Sequence, residues 1–281
     1  MIKAENLFYK YDKNQEPVLK DINIEIKQGE YVAIIGPNGC GKTTLIKHFN
    51  GLLSPAEGNI WVDKINTKDT IAISEIRQKV GMVFQNPDNQ IVCMTVEEDV
   101  SFGPGNLELP PLEIQKRVEN SLSLVGIEKL AKRAPHNLSS GEKRLVAIAG
   151  VLAMNPAYIV LDEPTAFLDP SGRQKVLDVI KKLNKQGITI IHVTHDMDEV
   201  VDVNQVIIIS NGRILLNETP AGVFTKFELL NELGLQTPKV TELMWKLRQM
   251  GTNVRPDIFT LDDACLEISS LFNRLEDSAT H

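Results

Sequence analysis

The sequence is poor in cysteine and contains no long apolar run. Its three cysteines, Cys40, Cys93 and Cys265, lie far apart, and this spacing matches neither a zinc site nor a disulfide framework, which favours a reducing compartment. No segment approaches the roughly 18 apolar residues of a membrane-spanning helix, and the first residues lack the basic start and apolar stretch of a signal peptide. We therefore expect any membrane association to go through another chain.

An excess of basic residues is also missing. The formal net charge is -7, whereas a chain that wraps nucleic acid normally presents a basic face. This balance argues against nucleic acid as a partner, although it permits a local anion site. With 281 residues, of which 42% are hydrophobic, the chain is long enough for one large globular domain with an appendage.

Short apolar runs alternate with longer helical patterns, which is typical of an α/β protein with a mostly parallel sheet. The runs predict strands at residues 31–35, 81–84, 158–162, 188–193 and 206–210. Before these runs, residues 18–26 alternate apolar and polar side chains. This period of two predicts an antiparallel strand with one solvated face. An antiparallel β element therefore precedes a parallel core.

Two segments have helical patterns without strands. The first, from about residue 86 to residue 155, is expected to form a helical subdomain inserted into the α/β domain. The second follows that domain. We therefore divide the chain into a domain of residues 1–222 and a C-terminal helical extension of residues 223–281.

The extension contains two predicted helices. The first is expected to be capped by Thr237, with Pro238 in its first turn and Gly251 after its end. Its predicted apolar face comprises Val240, Leu243, Leu247 and Met250. The second is expected to be capped by Thr260 together with Asp263. Its predicted stripe comprises Leu261, Ala264, Ile268, Leu271 and Leu275.

The stretch GPNGCGKT, residues 36–43, lies between an apolar strand pattern and a helical pattern, as a phosphate-binding P-loop requires. Glycines let backbone N–H groups converge on a β-phosphate at a helix N-terminus, Lys42 bridges the β- and γ-phosphates, and the Thr43 hydroxyl ligates Mg²⁺. The residues predicted to bind nucleotide here are Gly36, Asn38, Gly39, Cys40, Gly41, Lys42, Thr43 and Thr44.

Cys40 lies inside this loop and allows two interpretations. A helix N-terminus can lower the pKa of a thiol, which would make Cys40 sensitive to oxidation and let thiol modification block nucleotide binding. The favoured alternative is a small side chain packed beneath the phosphate.

Polar residues follow three of the apolar runs. In YIVLDEP we expect Asp162 to bind Mg²⁺ through water and Glu163 to act as the general base that polarises the attacking water. His195, just beyond another strand, is placed to hydrogen-bond a γ-phosphate. Gln85 ends a third run and is expected to contact metal, water and phosphate. His192 is expected to pack within its strand, since a strand HxxH without supporting ligands does not indicate zinc.

Two further motifs are LSSGE, residues 138–142, and FLDP, residues 167–170. Together with the P-loop, Gln85, YIVLDEP and His195, in this order along the chain, they resemble the nucleotide-binding subunit of ABC transporters over about the first 220 residues. The resemblance implies a P-loop NTPase of ABC type, with a mixed, mainly parallel core sheet, that binds ATP and Mg²⁺. It also implies that two ATPase subunits work as a head-to-tail dimer.

The same resemblance assigns roles to four further residues. Ser139 and Gly141 of one subunit would donate to the γ-phosphate that the P-loop of the other subunit holds. Asp169 would lie in the loop that links the two sites across the dimer. Tyr11 would stack on adenine; the alternative is that this tyrosine simply covers a strand edge.

The chain departs from the LSGGQ pattern of the family. Ser140 stands where the pattern has glycine, Glu142 stands where it has glutamine, and Leu145 stands where arginine is frequent. A serine side chain and a negative charge near the phosphate path are expected to weaken closure of the facing site. Asymmetric activity between two sites is therefore a hypothesis.

The segments NPDNQ, residues 86–90, and TVEEDVSFG, residues 95–103, resemble the ATPases of energy-coupling factor (ECF) transporters, which import vitamins and transition metal ions such as cobalt and nickel. That resemblance implies a transmembrane coupling protein, a separate substrate-binding membrane component and a peripheral position on the cytoplasmic side of the cell membrane. The groove beside Gln85 and residues 86–90 would receive the coupling helices, unless this loop merely leads into a helix. The extension is expected to pack on its own domain or, as the resemblance favours, on the second ATPase.

Other functions are open. The chain could serve another ABC importer, or it could be a soluble ABC-type ATPase that acts on nucleic acid or ribosomes. Sequence features disfavour the latter, because no sustained heptad pattern separates the P-loop from LSSGE and only one set of motifs is present. A metabolic P-loop kinase would leave LSSGE and FLDP unexplained. The cargo and the identity of the second ATPase subunit, identical or related, remain open.

Overall fold

The computed structural model describes residues 1–12, 14, 16–255 and 258–279, with side chains of the last helix described up to residue 272. Ten strands are present in this part of the chain: β1 (Ile2–Tyr9), β2 (Leu19–Ile26), β3 (Tyr31–Ile35), β4 (Glu57–Val62), β5 (Ile65–Asn66), β6 (Val80–Val83), β7 (Tyr158–Asp162), β8 (Thr189–Val193), β9 (Gln205–Ser210) and β10 (Arg213–Glu218).

The same residues form ten α-helices: α1 (Lys42–Phe49), α2 (Ile73–Lys79), α3 (Val96–Gly105), α4 (Pro111–Val125), α5 (Ser140–Ala153), α6 (Pro170–Lys185), α7 (Pro220–Phe224), α8 (Phe227–Glu232), α9 (Lys239–Gln249) and α10 (Leu261–Ala279). Short 3₁₀ helices occur at Pro87–Asn89, Glu128–Leu130, Pro135–Asn137 and Met197–Val200.

The central sheet has six strands in the order β10-β9-β3-β8-β7-β6. All neighbours in it are parallel except the edge pair of β9 with β10. Every residue of β3, β7 and β8 is buried, because helices or a second sheet cover both faces of this sheet. The continuous apolar runs predicted as parallel strands are therefore confirmed, with boundaries that shift by one residue in β6, β8 and β9.

The second sheet is antiparallel, with the order β2-β1-β4-β5. The predicted antiparallel strand is confirmed as β2, whose apolar side chains alternate with exposed ones. Strands β1, β4, β5 and β10 were not predicted from the sequence. In β1 the pairing register shifts between Ala4 and Leu7, and Asn6 has a φ of 46°, so no clean period of two survives in its sequence.

Alternate residues of the central sheet enter two separate cores. Val32 and Ile34 of β3 pack with the antiparallel sheet and α1, whereas Ala33 and Ile35 pack with α5 and α6. This arrangement follows from the pleat, which sends successive side chains to opposite faces. Packing on both faces holds the sheet in place, and the loops that follow its parallel strands lie together at one edge.

Helices α3, α4 and α5 pack against one another in the segment from residue 86 to residue 155, all of which the structure describes. Side chains of all three helices join the core that lies beneath the central sheet. The domain boundaries at residues 86, 155 and 222 remain predictions.

One predicted cap in the extension is wrong. Helix α9 begins at Lys239 after Pro238, whose ψ of 135° is extended, and no side-chain cap is present, so Thr237 precedes the cap position and is buried. Of the predicted apolar face, Val240 and Leu247 pack around the buried Met244.

Two other members of that predicted face, Leu243 and Met250, are exposed.

The second cap is confirmed, since the Thr260 Oγ1 accepts a hydrogen bond from the Asp263 N–H at 3.2 Å. In α10, Ala264 is buried and Ile268 and Leu271 are partly buried against the same small cluster. By contrast Leu261 is exposed, and the side chain of Leu275 lies outside the described residues.

Candidate active site

The phosphate loop joins the carboxyl end of β3 to the amino end of α1. All three of its glycines have positive φ angles, 154° at Gly36, 77° at Gly39 and 110° at Gly41. A Cβ at Gly36 would lie 2.1 Å from the carbonyl oxygen of Ile209, and one at Gly41 would lie 2.9 Å from the Leu19 side chain. The backbone contact at Gly36 leaves no room for a side chain, and the φ of Gly41 is one that other residues rarely adopt, so both positions require glycine.

Lys42 and Thr43 open α1 with their side chains held by the site itself. The buried Lys42 Nζ donates to the carbonyl oxygens of Gly36 and Pro37 at 2.7 and 2.9 Å. The Thr43 Oγ1 donates to the Asp162 carboxylate at 2.9 Å. The ammonium group is therefore already positioned inside the loop, where a phosphate oxygen would replace the carbonyls as its partner.

The residues near Asp162 fit a magnesium ion. The Asp162 carboxylate is almost fully buried, and this burial raises the pKa of its carboxyl group above the ordinary value. A cation would offset that cost, and the Thr43 hydroxyl and Asp162 carboxylate are the hard oxygen donors that Mg²⁺ prefers. Among the described residues no cluster of three or more His, Cys, Asp or Glu forms an all-protein metal site, so phosphate oxygens and water would complete the shell.

Three polar side chains meet where β6, β7 and β8 end side by side. The Gln85 Nε2 donates to the Glu163 Oε2 at 3.2 Å, and the His195 Nδ1 lies 3.4 Å from the Glu163 Oε1. The Glu163 backbone N–H donates to the Val193 carbonyl oxygen at 2.9 Å. Glu163 is thus tied to the neighbouring strand and is flanked by an amide and an imidazole.

These groups line one cavity of about 650 Å³ together with the phosphate loop. Tyr11 lies at its mouth, with 56% of its surface exposed and its Oη 3.0 Å from the Thr44 Oγ1. The ring of Tyr11 meets that of Tyr9 edge-on at a centroid distance of 5.1 Å. An exposed aromatic face beside a phosphate loop is suited to stacking on a base. The cavity lining comprises Tyr11, Val18, Asn38, Gly39, Gly41, Lys42, Thr43, Thr44, Gln85, Glu163, Phe167 and His195.

Cys40 is buried, and burial raises the pKa of its thiol in spite of the nearby Lys42. A thiol of this kind is protonated at neutral pH and poorly reactive. Burial supports the interpretation of Cys40 as a small packed side chain, and the raised pKa argues against the lowered pKa that the redox-sensitive alternative requires.

The signature stretch LSSGE forms the amino end of α5. The Ser139 Oγ accepts a hydrogen bond from the Glu142 N–H at 3.3 Å, and the Glu142 carboxylate accepts from both the Ser139 N–H at 2.8 Å and the Ser139 Oγ at 2.9 Å. This is a reciprocal capping box. The backbone N–H of Ser139 lowers the pKa of Glu142, so its carboxylate is ionised beside the helix N-terminus.

Asp169 caps the neighbouring helix α6, where its Oδ1 accepts from the Gly172 N–H at 3.3 Å. The two helix ends cross closely, because a Cβ on Gly141 would lie only 3.4 Å from the Gly172 Cα. Ser139, Gly141 and Asp169 line a second cavity, of about 780 Å³. Among the described residues, none lines both this cavity and the cavity of the phosphate loop.

Arg144, on α5, is a residue that sequence reasoning missed, and it is almost completely buried. Its guanidinium donates to the carbonyl oxygens of Phe84 and Gln85 at 2.5 and 2.6 Å. The signature helix is thereby fastened to the backbone that carries Gln85. The only signal in the sequence is a charged residue on an otherwise apolar helix face.

Phe167 is a second residue that sequence reasoning missed. It precedes Asp169 by two positions, has 92% of its surface exposed and adopts a φ of 64°. A large side chain in the left-handed region is strained. The cavity beside the phosphate loop therefore has an exposed aromatic ring on its rim.

His192 packs inside the sheet, as predicted. It is completely buried, and the Tyr31 Oη lies 3.0 Å from its Nδ1. It therefore takes no part in the nucleotide cavity, which only His195 of the pair lines.

A family model described as "ABC transporter" matches residues 19–166. The chain belongs to the ABC transporter family. It is 51% identical over 270 residues, 96% of each chain, to the cobalt import ATP-binding protein CbiO of Syntrophus aciditrophicus. It is also 51% identical over 267 residues to the energy-coupling factor transporter ATP-binding protein EcfA1 of Caldanaerobacter subterraneus subsp. tengcongensis, with 94% of this chain and 96% of that one covered.

Solved structures agree with this membership. CbiO1 from Clostridium perfringens, described as part of the ABC transporter complex cbiONQ, superposes with a TM-score of 0.76 at 43% identity over 87% of this chain and 98% of that chain. A dimeric bacterial ABC transporter cassette, MJ0796, superposes with a TM-score of 0.71 at 35% identity over 78% of this chain and 99% of that chain. The predicted ABC-type ATPase fold and the assignment as an ATPase of this family are confirmed. Within the described residues, no helix combines the length and apolarity that crossing a membrane requires.

The strain at Phe167 generates a stability prediction. Replacing Phe167 by glycine relieves the left-handed conformation, whereas replacing it by alanine does not, and the exposed ring contributes little burial in either case. We expect Phe167→Gly to exceed Phe167→Ala in free energy of unfolding by about 1 kcal/mol. Urea unfolding of the two isolated variants measures the difference. Equal stabilities, or a more stable alanine variant, would show that the backbone at residue 167 is unstrained.

Proposed function

We propose that the chain is the ATP-hydrolysing subunit of an energy-coupling factor transporter for a transition metal ion of the cobalt and nickel type or for a vitamin. It works as a head-to-tail pair of ATPase subunits, identical or related, docked on a transmembrane coupling protein that also binds a substrate-binding membrane component. The observation that carries the proposal is the separation of the phosphate loop and the signature helix into two cavities of one chain. Each cavity is half of a site, and a second subunit supplies the other half.

Nucleotide binding follows from groups that are already oriented. The loop leads directly into the N-terminus of α1, which favours a phosphate, and the buried Lys42 adds a positive charge inside the loop. Tyr11 offers its ring to the base. Bound Mg²⁺ would neutralise phosphate charge, held by Thr43 and, through water, by Asp162, with Gln85 at the rim.

Hydrolysis requires a base beside the γ-phosphate, and the structure supports Glu163 in this role. Its carboxylate accepts a proton from the attacking water while the Gln85 amide and the His195 imidazole hold it from two sides. His195 also faces the phosphate position from the end of β8. The signature of the facing subunit adds Ser139 and Gly141 as donors to the same phosphate, and Asp169 links the two sites.

An apolar patch supports docking on a membrane partner. Val92, Met94 and Phe102 are exposed, with 68%, 77% and 57% of their surfaces accessible. They lie in and just before α3, directly after the loop that carries Gln85. Exposed apolar side chains of this size are typical of binding surfaces. Through this contact the chain takes a peripheral position on the cytoplasmic side of the membrane, and the acidic net charge supports a partner other than nucleic acid.

The base assignment predicts a large loss of turnover in one isosteric variant. Glu163→Gln keeps the shape of the side chain but cannot accept a proton, so ATP hydrolysis by the assembled complex is expected to fall on the order of 10²-fold or more. ATP affinity, measured by fluorescence titration, is expected to stay within about twofold, since the phosphate loop is untouched. Glu25→Gln, on the exposed face of β2, serves as the control with unchanged turnover. Near-normal hydrolysis by Glu163→Gln would remove this residue from the role.

The departures from the LSGGQ pattern predict a higher ATPase rate when the family residues are restored. In the native chain the Glu142 carboxylate engages both Ser139 donors that are proposed to reach the γ-phosphate, and it repels that phosphate. The double variant Ser140→Gly with Glu142→Gln retains an acceptor for the helix cap while removing the charge and the serine side chain. We expect its steady-state ATPase rate in the complex to rise several-fold. Glu119→Gln, exposed on α4, is the matched control, and a double variant no faster than native would end the hypothesis of a weakened site.

The docking patch predicts a change in composition of the purified complex. Met94→Glu places a charge in the apolar patch, so the ratio of membrane components to this chain after detergent solubilisation is expected to drop several-fold. ATP binding by the variant should be retained. Ile71→Glu is the control, because Ile71 is even more exposed than Met94 but is not one of the three patch residues. An unchanged ratio in Met94→Glu would place the docking surface elsewhere.

A further inference from the structure

The most deeply buried carboxylate near the site belongs to a residue with no role so far. Glu199 lies in the short 3₁₀ helix Met197–Val200, four residues after His195, and only 4% of its surface is exposed. An ionised carboxylate loses its hydration when it is buried. A buried carboxylate therefore stays ionised only when nearby groups stabilise its charge. Those partners identify what the residue does.

Four side chains surround the Glu199 carboxylate. The Thr165 Oγ1 donates to its Oε1 at 2.5 Å, and the Thr194 Oγ1 donates to its Oε2 at 2.7 Å. The Arg173 Nε lies 3.0 Å from Oε1, and the His192 Nε2 lies 3.3 Å from Oε2. Both carboxylate oxygens therefore have two partners each.

Each of three partners belongs to a different loop or helix of the proposed site. Thr165 follows Glu163 by two residues, and Thr194 immediately precedes His195. Arg173 lies in the first turns of α6, the helix that Asp169 caps. The fourth partner, His192, anchors the group to the core of the sheet.

Arg173 adds a second connection. Its Nη2 lies 2.5 Å from the Asp196 Oδ2, so one guanidinium bridges the residue after His195 and the buried carboxylate. Burial raises the pKa of Glu199, but the nearby His192 imidazole and the hydrogen bonds from Thr165 and Thr194 outweigh this effect and lower the pKa to about 2. The carboxylate is therefore a permanent anion at physiological pH.

We propose that Glu199 is a positioning residue that fastens the loops of Glu163 and His195 to the helix of Asp169, so that base, imidazole and partner-facing loop keep one fixed geometry. Glu199 itself is buried and does not line the cavity of the phosphate loop. The proposal rests on the function proposed above, because it presupposes that Glu163 is the base and that Asp169 faces a second subunit.

The neutral variant Glu199→Gln distinguishes a role in positioning the site from a role in packing alone. Glu199→Gln fills the same volume but replaces one acceptor oxygen by an NH₂ group and removes the charge that Arg173 and His192 face. Small displacements of a catalytic group can reduce the rate of the chemical step strongly. We expect kcat for ATP hydrolysis by the assembled complex to fall about tenfold or more, whereas KM for ATP stays within about twofold, because no phosphate-loop side chain contacts Glu199.

A control variant shows what a loss of fold stability, without any change in the site, does to the ATPase rate. Asp63 is also a hydrogen-bonded carboxylate, 2.7 Å from both the Tyr158 Oη and the N-terminal amine, but it lies outside the nucleotide cavity. Asp63→Asn is expected to lower the melting temperature without changing kcat per folded molecule. Thr165→Val, which removes a single donor to Glu199 and keeps the side-chain shape, is expected to give a smaller loss of kcat than Glu199→Gln, again at constant KM.

The complex with its native membrane partners is assayed for kcat, KM and melting temperature in all three variants. A tenfold loss of kcat at constant KM in Glu199→Gln, with a partial loss in Thr165→Val and none in Asp63→Asn, supports the proposal. If Glu199→Gln does not fold, Thr165→Val decides alone. Unchanged kcat in the decisive variant, or a loss matched by Asp63→Asn, overturns it. Failure of the proposed function is separable, because Glu163→Gln would then retain turnover.

Discussion

The parallel pairing of β3, β8, β7 and β6 is the constraint on which the rest of the structure depends. In-register pairing aligns Ala33, His192, Leu161 and Val83 across the sheet, so the chain leaves all four strands at one edge. The phosphate loop, His195, Glu163 and Gln85 follow those strands by one or two residues. Their convergence is a consequence of register, and a slip of one residue would turn each buried side chain to the opposite core.

A second constraint is that this edge cannot complete the site alone. The signature helix α5 is held against the sheet by its apolar face and by Arg144, and its amino end packs on the amino end of α6 instead of pointing at the phosphate loop. Two helix N-termini therefore lie side by side, and each cap takes only one N–H group: Ser139 accepts from Glu142, and Asp169 accepts from Gly172. Such an arrangement is suited to an anion brought by another molecule. This geometry supports the proposed dimer.

Sequence patterns predicted the parts of the fold that are buried on both faces, because such strands are continuous apolar runs with sharp ends, as in β3 and β7. They also predicted the catalytic candidates, since Glu163, His195 and Gln85 stand directly after those runs.

Strand β1 was missed because a bulge and the positive φ of Asn6 break its alternation. The cap of α9 was misplaced because Pro238 holds an extended conformation that ends the loop one residue later than the threonine signal indicates. Arg144, Phe167 and Glu199 could not be found from local patterns, since their importance lies in contacts between distant segments or in a backbone angle.

The claim that each chain holds two half-sites is tested most directly by the dependence of hydrolysis on protein concentration. The ATPase rate per chain and the molecular mass are measured together over a dilution series that spans the dissociation of the ATPase pair. The account predicts that the rate per chain falls towards zero as the mass falls to that of the monomer. A full rate per chain that is independent of dilution, from a species with the mass of one chain, would contradict it.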